Sequence, residues 1–106
     1  MTVYVTAHMR IRDTAWMKEY QANVRGLLAE YGGEVLARSV AVTCLEGAED
    51  HTPDRITILT FPDVSSASAF FSDARYEPYH QLRVSGSSSD IFLFENALDG
   101  GTSGRV

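Results

Sequence analysis

The chain has 106 residues, 44% apolar, 10% aromatic and 22% charged, the composition of one globular domain and not of a disordered, collagenous or coiled-coil protein. Nine basic against fourteen acidic residues leave a net charge of −5, which argues against nucleic acid as a partner. A single cysteine, Cys44, forms no internal disulfide, and no apolar run approaches the ~18 residues of a membrane span, so the expected setting is the cytoplasm, away from any membrane.

The first eight residues alternate apolar with polar and lack the basic region and apolar stretch of a signal peptide. Alternation runs over residues 3 to 11, with Val3, Val5, Ala7, Met9 and Ile11 on one side and Tyr4, Thr6, His8 and Arg10 on the other. Period two with β-branched residues predicts a strand. Asp13 is placed to cap a helix whose apolar residues Trp16, Tyr20, Val24, Leu27, Leu28 and Tyr31 recur every three or four positions, and Gly32-Gly33 closes it.

Residues 34 to 46 read as a second strand, with Leu36, Arg38, Val40, Val42 and Cys44 on one face. The segment 47 to 54 is a turn carrying Gly, Asp and Pro, and with Glu46 it gathers four of the fourteen acids. Residues 55 to 61 are a short strand stopped by Pro62, and Asp63 fits the N-cap of a second helix through Ala67, Phe70 and Phe71. A further helical turn is expected around Tyr76, Tyr79 and Leu82, a loop over Ser85 to Ser89, and a last strand over residues 90 to 95. Residues 1–98 are thus read as one domain and 99–106 as a flexible tail.

The order β-α-β-β-α-β predicts an α+β, ferredoxin-like sandwich with both helical regions on one face of an antiparallel sheet. Apolar residues nevertheless occupy both faces of its strands: Val3 and Val5 on one side, Phe92 and Phe94 on the other. An open apolar sheet face is an association surface, so a homodimer packed sheet to sheet is expected.

The segments Tyr4-Val5-Thr6-Ala7-His8, Glu19-Tyr20, Tyr31-Gly32-Gly33, Leu36-Ala37-Arg38, Leu45-Glu46-Gly47, Phe61-Pro62-Asp63 and Arg75-Tyr76-Glu77 follow one another in an order that resembles one family. It is the set of small bacterial proteins grouped as domain-of-unknown-function family thirteen-thirty, within the dimeric α+β barrel superfamily. The resemblance spans residues 2 to 96 and implies a homodimer whose two sheets form a barrel, with a cleft between sheet and helices. Relatives in the superfamily include cofactor-free monooxygenases, small-molecule isomerases and lyases, and haem-degrading enzymes. Two departures fall near the expected cleft: Ser39-Val40 stands where members carry two glycines, and Thr60 where they often carry an acid.

Six further residues beside Arg38 are the candidates for chemistry. His8 is a general base or hydrogen-bond donor, or a histidine satisfied by its neighbours. Arg38 is a fork for a carboxylate, enolate or phenolate, or the partner of Glu46 or Asp90. Asp90 orients a base or caps the serine loop. Trp16, Tyr20, Tyr76 and Tyr79, with Phe70, form an aromatic substrate wall or simply core. His80 and Arg83 are expected on the rim or in solvent.

Cys44 has no base beside it in sequence, Ser87 to Ser89 carry no nucleophile elbow, and His8, His51 and His80 lack metal-ligand spacing. No glycine-rich phosphate loop or dinucleotide fingerprint occurs, so no cofactor and no metal are expected. The resemblance, together with the lack of cofactor motifs, implies a small cofactor-independent enzyme of bacterial metabolism that works by acid/base chemistry on a planar or carbonyl-bearing molecule. His8 is its acid/base and Arg38 its oxyanion partner. The alternative is a non-catalytic small-molecule-binding or accessory protein using the same cleft.

Overall fold

Residues 2–98 are described by a computed structural model of the chain. The alternating segment is strand β1 (Val3–Ile11), which lies in the middle of a 4-stranded antiparallel sheet. It is followed by α1 (Met17–Glu30), β2 (Glu34–Arg38), a 3-10 turn (Glu49–His51), β3 (Arg55–Phe61), α2 (Val64–Ser72), α3 (Glu77–Gly86) and β4 (Ser87–Glu95). Strand order β2-β3-β1-β4 is the ferredoxin-like arrangement expected from the sequence.

Register fixes what each face carries. Val3 pairs with Phe61 and Glu95, Val5 with Leu59 and Leu93, and Ala7 with Thr57 and Ile91. Residues directly opposite share a face, so the odd-numbered positions of these three strands line the helix side. Val3, Val5 and Phe61 are buried there against Val24, Leu27 and Leu28 of α1 and Ala67 and Phe70 of α2, forming the core. The even positions form the open face, where Phe92 and Phe94 are exposed.

Local chemistry sets the boundaries. Helix α1 ends in a Schellman motif: Gly33 N donates to Leu28 O and Gly32 N to Ala29 O, with Gly32 at φ 72°. A Cβ on Gly32 would also fall 2.7 Å from Pro62 Cγ, so two reasons select glycine. Asp63 caps α2 as expected, its Oδ1 accepting from Ser66 N at 2.7 Å. Asp13 does not cap α1. It closes an Asx turn with Ala15 N at 2.9 Å, and the helix begins four residues later, after Trp16.

Two other expectations are corrected. The second strand stops at Arg38, because Ser39 N bonds Ile56 O and β3 begins only at Arg55, which leaves Val40 to Cys44 no partner strand. Val40 and Leu45 are consequently almost fully exposed. The serine loop does not exist: α3 runs through Gly86 and β4 starts at Ser87. The carbonyl of Gly86 instead accepts from both Arg12 N and Asp13 N, joining the helix end to the end of β1. The expected tail, 99–106, lies outside the described residues.

Candidate functional site

A pocket opens between the helix side of the sheet and the helices, with a cavity volume of about 110 Å3. Its floor is Val5, Ala7 and Met9 of β1 with Thr57 and Leu59 of β3 and Ile91 of β4, and its walls are Trp16, Tyr20, Phe70, Phe71 and Tyr76. That volume takes about one aromatic ring, by comparison with the ~150 Å3 cavity that accepts benzene.

The walls are positioned by packing. Trp16 is buried edge-on to Tyr20, with ring centroids 5.4 Å apart, and its Nε1 donates to Asp13 O at 2.7 Å. Gly86 makes this possible, since a Cβ there would sit 2.6 Å from Trp16 Nε1. Tyr76 packs on Phe70 at 4.9 Å, and its hydroxyl is 2.7 Å from that of Tyr20. Burial, reinforced by the Tyr76 phenol, pushes the Tyr20 phenol well above the usual tyrosine range, so it stays protonated.

Among the described residues four arginines line this pocket and no carboxylate does: Arg25, Arg38, Arg55 and Arg83. Arg25 and Arg38 are exposed at the mouth, and Arg55 is half-buried with Nη1 3.8 Å from Met17 Sδ. Arg83, expected in solvent or on the rim, is instead buried. In a chain of net charge −5 the pocket is a positive island.

Arg38 reaches the pocket through a bulge. Glu34 pairs with Thr60 and Val35 with Leu59, but Ala37 pairs with Ile58 and Arg38 with Thr57, a slip of one residue at Leu36. Without the slip Arg38 would oppose Ile56 and point to the open face. The bulge places it on the helix side with Val35.

The sequence-derived site therefore divides. Arg38, Trp16, Tyr20 and Tyr76 come together in the pocket. His8 and Asp90, opposite one another across β1 and β4, lie on the open face, where His8 packs edge-on to Phe92 at 6.0 Å. They share a shallow depression with Arg10, His51 and Pro53, and neither side chain hydrogen-bonds or ion-pairs among the described residues. His8 is thus not beside Arg38, and the expected convergence of the two does not occur. Tyr79 packs against the core but does not line the pocket. Ser89, which lines it, and Arg83 were not among the sequence candidates for substrate contact. Helical spacing from Tyr76 was the only available pointer to Arg83.

An antiparallel four-stranded sheet with helices on one face and a pocket between them defines a ferredoxin-like α+β protomer, the class in which dimeric relatives occur. The match extends to the family level. Residues 2–97 match the family described as "Domain of unknown function (DUF1330)", and the chain belongs to it. No curated protein matches the chain. Among solved structures, a protein of unknown function from Rhodopseudomonas palustris (RPA0582) is 16% identical, with a TM-score of 0.77 over 90% of this chain and 82% of that one. SnoaB, a cofactor-independent oxygenase from Streptomyces nogalater, is 13% identical, with a TM-score of 0.66 over 94% and 97%. A dimeric ferredoxin-like protein of unknown function from Jannaschia sp. CCS1 is also 13% identical, with a TM-score of 0.66 over 91% and 100%. At these identities the likeness is one of fold. No helix among the described residues is long and apolar enough to cross a membrane.

Proposed function

We propose that this protein is a small cofactor-independent enzyme acting on a planar or carbonyl-bearing molecule held between sheet and helices. The observation that carries this reading is the pocket itself: aromatic walls, a hydrogen-bonded phenol pair and arginines at the mouth. Aromatic faces hold a flat ring. The Tyr20–Tyr76 pair donates to a carbonyl or enolate oxygen, and the arginines stabilise negative charge that develops there. The fold likeness to a cofactor-independent oxygenase supports an enzyme without assigning this chain that enzyme's substrate.

The working form is a homodimer, with a second copy covering the open face at Phe92, Phe94 and Tyr4. The dimeric Jannaschia relative supports this assembly.

One observation favours a second reading, a non-catalytic binding protein: among the described residues no histidine or carboxylate lines the pocket, and His8 and Asp90 are on the other face. Mass spectrometry of compounds that co-purify, followed by incubation of the purified compound with fresh protein, separates the two. An enzyme converts it, and Tyr76→Phe loses about a hundredfold or more in rate. Return of the compound unchanged, with binding intact, leaves the binding protein as the answer.

A further inference from the structure

Arg83 is the residue that the described function leaves without a purpose. It is only 7% exposed, yet among the described residues no carboxylate pairs with its guanidinium. Its Nε is fully enclosed and lacks a hydrogen-bond partner. A buried cation without a counter-ion is a costly arrangement, and folds that keep one ordinarily supply an acid. Among the described residues no acid lines this pocket.

Beside it stands a second orphan. The Oγ of Ser89, on β4, is also enclosed and without a partner. Both residues line the aromatic pocket, and both line the neighbouring depression formed with Arg12, His80 and Ser87. They therefore stand in the partition between the two. The Tyr20 phenol is the polar group beside the guanidinium on the aromatic side. Two buried donors without partners, lining a pocket that Arg25, Arg38 and Arg55 also line, make a site suited to an anion.

We infer that the pocket takes an aromatic or enolic monoanion, a carboxylate or its vinylogous equivalent, whose charged oxygens meet Arg83 and Ser89 while its ring lies against Trp16 and Tyr76. This inference rests on the proposed function and adds the charge of the substrate. The arginine fork donates to one oxygen or both, Ser89 donates its hydroxyl, and the exposed arginines at the mouth draw the anion in. A neutral amide of the same outline offers one carbonyl acceptor, brings no counter-charge to the guanidinium and binds more weakly.

The test uses benzoate and its neutral counterpart benzamide, each titrated into 15N-labelled full-length protein and followed through the indole N–H signal of Trp16, the single tryptophan of the chain. Benzoate should bind about tenfold or more tightly than benzamide, the discrimination of one charge-assisted bond. Arg83→Met should bring benzoate down to the benzamide level and leave benzamide unchanged. Where that variant does not fold, Ser89→Ala decides, weakening benzoate alone. Equal binding of both probes, or an Arg83 variant with undiminished preference for benzoate, overturns the inference while the pocket reading stands. Failure of both probes to move the Trp16 signal at millimolar concentration overturns the pocket reading and the inference together.

Discussion

Replacing Tyr76 by phenylalanine removes one oxygen from a part-buried pair and leaves the Tyr20 hydroxyl without its phenol partner. The two hydroxyls are 2.7 Å apart, and Tyr76 is buried in the core cluster, so water does not readily take the vacated place. A stranded buried donor costs about 1–3 kcal/mol, more than the bond's net value of ~1 kcal/mol. For a domain of this size each kcal/mol lowers Tm by about 4–8 °C. Tyr20→Phe strands Tyr76 in the same way and should cost a similar amount. The double variant removes both oxygens and leaves none unmet, so its loss should fall short of the sum of the single losses by roughly 1 kcal/mol or more. Denaturant unfolding of the four proteins at one concentration and neutral pH measures this coupling. If the single losses add within ~0.5 kcal/mol, the phenols do not depend on one another and the pairing argument is wrong.

Alkali should destabilise the fold through the same pair. Because Tyr20 is raised by burial, its contribution is complete below the ordinary tyrosine pKa of about 10 and is lost as pH climbs above it, where the unfolded chain releases the proton first. Tyr20→Phe should flatten the fall of Tm between pH 9 and 11. Part of the slope should survive, because the Tyr31 phenol is raised too by its hydrogen bond to Asp73. Gly86→Ala drives a Cβ into the Trp16 indole and should cost about 1–3 kcal/mol, with loss of the near-ultraviolet tryptophan signal; an unchanged spectrum and Tm would contradict the close packing. Phe92→Glu, at a position 60% exposed in one protomer, should leave the protomer folded and shift sedimentation from about twice to once 11.7 kDa. A wild-type chain that sediments as a monomer at micromolar concentration would remove the sheet-to-sheet dimer.

Much of the fold was legible because local and global signals agree. The alternation of Val3 to Ile11 matches a strand with one buried face, Gly32-Gly33 ends α1 by the expected cap, and Asp63 starts α2. What misled was information held in pairing. Val40, Val42 and Cys44 alternate like a strand, but alternation creates no strand where the neighbouring strand has not begun. His8 and Asp90 are polar residues at mid-strand, and period two alone correctly assigned His8 to the side away from Val5. The bulge that turns Arg38 into the pocket was not legible, because a bulge arises from how two strands meet and neither strand carries it alone. Arg83 was hidden for a related reason. The phase of α3 is set by where it starts, at Glu77, and by its direct passage into β4, which composition read as a serine loop.

The slip at Leu36 has an evolutionary consequence. An extra residue in a strand ordinarily turns everything after it to the other face. Here the bulge absorbs it: Leu36 is the surplus position, and its removal would leave Ala37 opposite Ile58 and Arg38 opposite Thr57 in regular register with Val35. The arginine at the entrance is therefore insulated from a three-nucleotide deletion at this one codon of an edge strand. An unabsorbed insertion between Ala37 and Arg38 would instead set the arginine opposite Ile56 and carry it to the opposite surface, with every original side chain retained.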